Sequence, residues 1–185
     1  SFKGKKYKIN TQNTFNKNSA FKKIRSLIMS LRFYEINVLL NIMTKTKKRK
    51  KYSNIFMNWD EIKIIHQNPL FTIGCHTLSH PILKNESYKT SRNQIIQSKN
   101  ILESKLKHEV KHLAFPFGGR YEVDEIHFKI AEDLKFDTAV TTLTSNHNEK
   151  KYFSLPRVAI TDFYNMDEID IRINGLSYFL GLQFG

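Results

Sequence analysis

The sequence predicts an α/β protein with parallel strands, and three observations carry that expectation. Beyond residue 56, short apolar runs of strand character alternate with longer stretches whose apolar residues recur at helical spacing. Prolines and glycines punctuate these runs: Pro69 precedes 70–75, and Pro116, Gly118 and Gly119 follow 113–115. The length of 185 residues, 40% hydrophobic and 12% aromatic, suits one domain with a sizeable core.

The elements follow in order. Residues 1–17 are rich in Lys, Asn and Thr and read as a loop or arm. A helix is expected from Asn18–Ser19, with Ser19 as its cap and Phe21, Ile24, Ile28 and Leu31 inward. A second helical stretch, 34–43, carries Ile36, Leu39, Leu40 and Met43 on one face. Lys45 to Lys51 places six positive charges in seven residues, a solvated run and the best boundary in the chain. Asn58, Trp59, Asp60 and Glu61 form a capped helix start leading to Ile65, and Pro69 ends it. Residues 70–75 then read as a buried strand, 87–106 as a surface helix with Ile95, Leu102 and Leu106 inward, and 113–115 as a second strand. A helix over 124–134 turns Ile126, Ile130 and Leu134 to the core; 136–142 and 153–160 are β-rich, and 167–180 closes the chain as a helix.

Composition excludes several classes. Seven Gly and four Pro rule out a collagenous chain, and the aromatic content argues against wholesale disorder. Cys75 is the only cysteine, so no intrachain disulfide can form. No run of 18 apolar residues exists, so no transmembrane helix is expected. Ser1 to Lys6 lead into no apolar signal-peptide region, which leaves cytoplasm and cell envelope both open as compartments.

The net charge is +13, unevenly placed. Residues 1–55 hold 15 Lys/Arg against Glu35 alone, whereas 56–185 are nearly neutral. The chain is therefore read as a basic helical insertion or arm over 1–55 and a separate region over 56–185. Such an excess invites nucleic-acid or anionic-surface binding, with Phe2, Tyr7 and Phe15 interleaved among the cations. No helix-turn-helix, RNA-binding or zinc-finger pattern accompanies it, so a solvated basic surface is preferred and a nucleic-acid partner is not expected.

Two His pairs have i,i+4 spacing. His108-Glu109-Val110-Lys111-His112 matches the H-E-x-x-H of zinc proteases, which needs one helix across all five residues. The strand-like 113–115 follows at once, so the two His are expected at a helix end and a loop, and solvated. His76-Thr77-Leu78-Ser79-His80 instead follows a strand directly, where α/β folds place their chemistry. A turn there can bring both imidazoles to one metal, with the Thr77 and Ser79 hydroxyls as supporting partners. Cys75 lies beside this pair but points to the opposite face of its strand, as a core thiol.

Residues 71–81, running through His76-Thr77-Leu78-Ser79-His80-Pro81, resemble the H-[ST]-x-x-H motif of the polysaccharide deacetylases, the NodB-homology or carbohydrate esterase family 4 enzymes. Leu113-Ala114-Phe115-Pro116-Phe117-Gly118-Gly119-Arg120 is similar to the family's next motif, and Phe136 to Thr142 and Leu155-Pro156-Arg157-Val158 are similar to later segments. The resemblance spans about 56–180 and implies a distorted (β/α) barrel of the NodB-homology type, incomplete at its N-terminus. It also implies that His76 and His80 are two of three ligands to a divalent metal, usually zinc. Phe117 and Gly118 would line the sugar groove, the Phe117 N–H would hold the oxyanion, and Arg157 would contact substrate or replace a missing motif arginine. The implied reaction removes acetyl groups from N-acetylated sugars of a polysaccharide.

The departures carry their own expectation. The family's T-F-D-D motif, source of the general base and third ligand, is absent, and Ala114 occupies the motif arginine's place. No catalytic His matches in the last motif; His147 reads as a solvated loop residue. The resemblance thus implies either part of a longer deacetylase, as the missing initiator Met suggests, or a degenerate member, and in both cases little activity for this chain alone.

Overall fold

The computed structural model describes residues 2–44, 55–143 and 151–175, and the chain divides into two compact units, Ser1–Ile62 and Lys63–Gly185. The Lys-rich run at 45–51 and His147 lie outside the described residues.

In the first unit, α1 (Thr14–Met29) starts five residues before the expected Ser19 cap. Asn13 is the cap: its side-chain oxygen accepts the Asn16 N–H at 2.8 Å, which leaves Ser19 inside the helix. Phe21, expected inward, is 67% exposed, because the inner stripe runs through Ala20, Leu27 and Ile28 instead. Helix α2 (Phe33–Thr44) opens where the Glu35 carboxylate accepts the Arg32 N–H. It contributes Leu39 and Ile36 to a small core with Phe2 and Leu31, while Leu40 and Met43 face outward rather than in. Helix α3 (Trp59–Gln67) has the expected start. Asn58 accepts from the Asp60 and Glu61 N–H groups, and the Glu61 carboxylate accepts the Asn58 N–H in return.

The core of the second unit is built on parallel pairing. Strands β1 (His112–Ala114) and β2 (Thr138–Val140) pair in parallel with Leu113 opposite Ala139. Single parallel bridges extend the array on both sides, Cys75 to Leu113 and Val140 to Leu155. This is the parallel arrangement the alternating pattern predicts; closure into a barrel is not seen among the described residues. Two expected strands are reduced to these bridges. In 70–75 only Cys75 is buried, with Leu70 86% exposed, and in 153–160 Val158 and Ile160 remain exposed. β-propensity reports a fit to a half-buried surface, and these segments meet a pairing neighbour at one residue only.

Helices cover the array. Helix α4 (Tyr88–Leu106), capped by Ser87, buries Ile95 completely and turns Leu102 to the same core. Its Lys99 lays its stem under α5 (Glu125–Asp133) and donates from Nζ to the Leu134 carbonyl at 3.0 Å. In α5 the inner positions are His127, Ile130 and Ala131; Ile126, expected inward, sits one residue off that stripe and is exposed. Helix α6 (Met166–Ile173) ends earlier than expected, and residues 176–180 of the anticipated helix lie outside the described residues. No described helix is long and apolar enough to cross a membrane.

Cys75 is 1% exposed, and burial pushes its thiol up to about 11. It should therefore resist alkylation at pH 8 in the native chain and react fully in denaturant. Rapid native labelling would contradict the packing described.

Candidate active site

The site is assembled at the ends of parallel segments, beginning with Cys75. Cys75 N–H donates to the His112 carbonyl, and its own carbonyl accepts the Ala114 N–H, both at 2.8 Å. His76 therefore leaves the array beside Ala114 and makes its key contact there: Nδ1 lies 2.7 Å from the Ala114 carbonyl oxygen. A carbonyl can only accept, so Nδ1 carries the proton and Nε2 keeps its lone pair. Burial of the ring edge holds the His76 pKa below its ordinary value, assisted by His80 and the Arg157 guanidinium and opposed by the Ala114 bond. A neutral imidazole with one nitrogen committed to backbone is the form in which histidine binds a metal.

The intervening loop turns back on itself. Thr77 and His80 both have positive φ, +63° and +54°, and the Thr77 hydroxyl accepts the His80 N–H at 3.1 Å. Ser79 donates from both N–H and hydroxyl to the Gln94 side-chain oxygen, while Leu78 N–H donates to the Gln94 backbone carbonyl. The Thr77 and Ser79 hydroxyls thus support the imidazoles through the loop backbone and Gln94, not by bonding to the rings. The turn sets the His76 and His80 rings 4.8 Å apart between centroids, nearly edge to face.

The second loop meets the first through Phe117, whose ring stands 4.8 Å from that of His80. Phe117 (φ +59°) and Gly118 (φ +72°) both adopt the left-handed region. Thr142 fixes this reversal: its hydroxyl donates to the Phe117 carbonyl at 2.7 Å, and its N–H donates to the Gly118 carbonyl. The Phe117 N–H itself has no partner among the described residues. Arg157 lies beneath this loop and donates to the carbonyls of Thr141 and Phe115, tying together the chain leaving β2 and the chain leaving β1. Both bonds hold the loop from below. A cavity of about 630 Å³ begins beside Gly119 and Thr142 and runs past Leu155 and Pro156.

Among the described residues no group of three or more His, Cys, Asp or Glu is arranged to hold a metal. His76 and His80 fit such an ion as two nitrogen ligands of an incomplete set. Cys75 does not join them; its thiol is in the core. The other His pair is divided by the fold, with His108 beyond the end of α4 and His112 on β1, where its Nδ1 meets the Thr138 hydroxyl. Three contributors were not legible in sequence: the Ala114 carbonyl, Gln94 and Thr142. Each acts through a contact made across the fold; local pattern placed Ala114 in a strand, Gln94 in a helix and Thr142 in a β-rich run but gave none of them these partners.

Known proteins resemble this chain in sequence family and in fold. A family model described as polysaccharide deacetylase matches residues 15–139. No curated protein sequence matches the chain. Among solved structures, the Streptococcus pyogenes deacetylase PplD in complex with acetate superposes with a TM-score of 0.56 at 21% identity, covering 65% of this chain and 52% of that one. The polysaccharide deacetylase BC0361 from Bacillus cereus gives 0.55 at 18%, covering 73% and 46%. A de-N-acetylase from Aggregatibacter actinomycetemcomitans gives 0.50 at 14%, covering 66% and 58%. The chain thus spans about half the length of these structures.

Gly118 is the sharpest test of the loop. A Cβ there would meet the Thr142 nitrogen at 2.9 Å and an Arg157 terminal nitrogen at 3.1 Å, on backbone with φ +72°. Gly118→Ala should destabilise the chain by about 1–3 kcal/mol in urea unfolding. An unchanged midpoint would show that the loop is not held as described.

Proposed function

The chain belongs to the polysaccharide deacetylase family, and from that premise we propose that it forms part of a metal-dependent hydrolase that removes acetyl groups from N-acetylated sugars of a polysaccharide. The observation that carries this reading is the His76–His80 pair, with the His76 proton committed to Ala114 and Nε2 left to bind. His76 and His80 would hold a divalent metal, zinc in the family's usual case, which when bound would supply Lewis acidity toward a water and the acetamide carbonyl. Hydrolysis then places the water oxygen on the acetyl carbon and breaks the C–N bond, and acetate and a protonated sugar amine depart.

The chain's own residues have separable parts in this reaction. Ala114 holds His76 in the binding tautomer, and Gln94 and Thr77 hold His80 in its turn. The unpaired Phe117 N–H is a donor for the acetamide oxygen as negative charge gathers there. The Phe117 ring, 41% exposed, and Gly118 border the place where a sugar would lie, and the cavity beyond Thr142 gives room for neighbouring sugars. Arg157 serves as a positioning residue through Phe115 and Thr141. The general base and third ligand have no counterpart beside the His pair among the described residues, so the chain alone is proposed to be weakly active or inactive.

Calorimetric titration with zinc should show weak binding that His76→Ala or His80→Ala reduces at least about tenfold. Zinc binding unchanged by the double substitution would remove the basis of the proposal. Acetate release from N-acetylglucosamine oligomers should stay near background with this chain. Robust metal-dependent release would refute the incomplete-site reading while leaving the deacetylase assignment standing.

A further inference from the structure

The first unit holds a feature the deacetylase chemistry does not use. A cavity of about 490 Å³ lies between α1, α2 and the segment that precedes them. Ile24, Leu27, Leu39, Ile42 and Met43 make its floor apolar, and Lys6, Lys8 and Lys23 line it as well. Ile42 and Met43 keep 38% and 48% of their surface exposed. No carboxylate pairs with these three lysines among the described residues. Residues 2–44 carry nine Lys/Arg and a single acid, Glu35, which is already paired with Lys3.

We propose that this unit docks on an anionic lipid bilayer, with lipid methylenes against the Ile42–Met43 side of the groove and headgroup phosphates on Lys6, Lys8 and Lys23. The choice of occupant follows from what each partner could satisfy. A nucleic acid would neutralise the lysines but leave the aliphatic floor uncovered, and its bases would find few aromatic faces. Phe2 is buried in the small core, and Tyr7 is the one exposed aromatic lining the groove. A neutral hydrophobic partner would cover the floor and leave the lysines uncompensated. A phospholipid surface presents phosphate and hydrocarbon within one molecule, and lysine stems can lie along the apolar wall while their ammonium groups reach headgroups.

Flotation of the full chain with vesicles tests this directly. Binding to phosphatidylcholine vesicles containing phosphatidylglycerol should exceed binding to phosphatidylcholine alone by at least about tenfold and weaken with added salt. The triple variant Lys6→Glu, Lys8→Glu, Lys23→Glu should lose it. Ile42→Ser with Met43→Ser, at exposed positions that leave the helix and core in place, should weaken it at least about fivefold with helical circular dichroism unchanged. The proposal is overturned if phosphatidylglycerol confers no preference or if the serine variant binds as the parent does. Tighter binding to a single-stranded oligonucleotide than to anionic vesicles overturns it in favour of nucleic acid.

Discussion

Cys75 exchanges two backbone hydrogen bonds with the strand that carries Leu113, and the candidate site depends on where this bridge puts the following residue. Each bond contributes only about 0.5–1.5 kcal/mol net. Their larger effect is positional. With Cys75 in register opposite Leu113, His76 emerges beside the Ala114 carbonyl, and its tautomer is settled by backbone. The same strand continues through Phe115 and Pro116 into the Phe117 loop, so one register brings both motifs together. The burial of Cys75 belongs to this arrangement, since its side chain occupies the core face while its neighbour turns to the site.

Backbone conformation at the site is uncommon and concentrated. Thr77, His80 and Phe117 are three of the six non-glycine residues with positive φ among the described residues, and Gly118 joins them. Such conformations cost energy and persist where surrounding contacts over-determine them. Gln94 supplies those contacts on one loop, and Thr142 and Arg157 on the other. The anchors come from α4, from the end of β2 and from the segment beyond Leu155, so both loops are braced by elements distant in sequence.

The charge of the chain has a different logic. Residues 1–55 carry the whole of the excess, while the region bearing the His pair is close to neutral. The proposed substrate group, a neutral acetamide, needs no electrostatic steering, which is consistent with a balanced charge in that region. The basic excess accompanies an apolar groove in the first unit, and the two properties together select an amphiphilic anionic partner over a purely ionic one.

Much of this was legible locally. The Asn58 cap, the helix expected over 87–106 with Ile95 inward, and the parallel α/β character all follow from short-range pattern. The misplacements share a cause, because they concern which face an element shows and how far pairing extends. Phe21 and Ile126 lie one residue from the buried stripe, and 70–75 and 153–160 have strand-forming residues but one pairing partner each. The sequence by itself determined the residue types of the site, two imidazoles four apart after an apolar run and a Pro-Phe-Gly turn further on. Tertiary structure alone decided that these meet, which nitrogen of His76 is free, and that Arg157 braces the loop. Those outcomes depend on hydrogen bonds such as His76 to Ala114, formed between residues whose separation along the chain leaves no mark in local pattern.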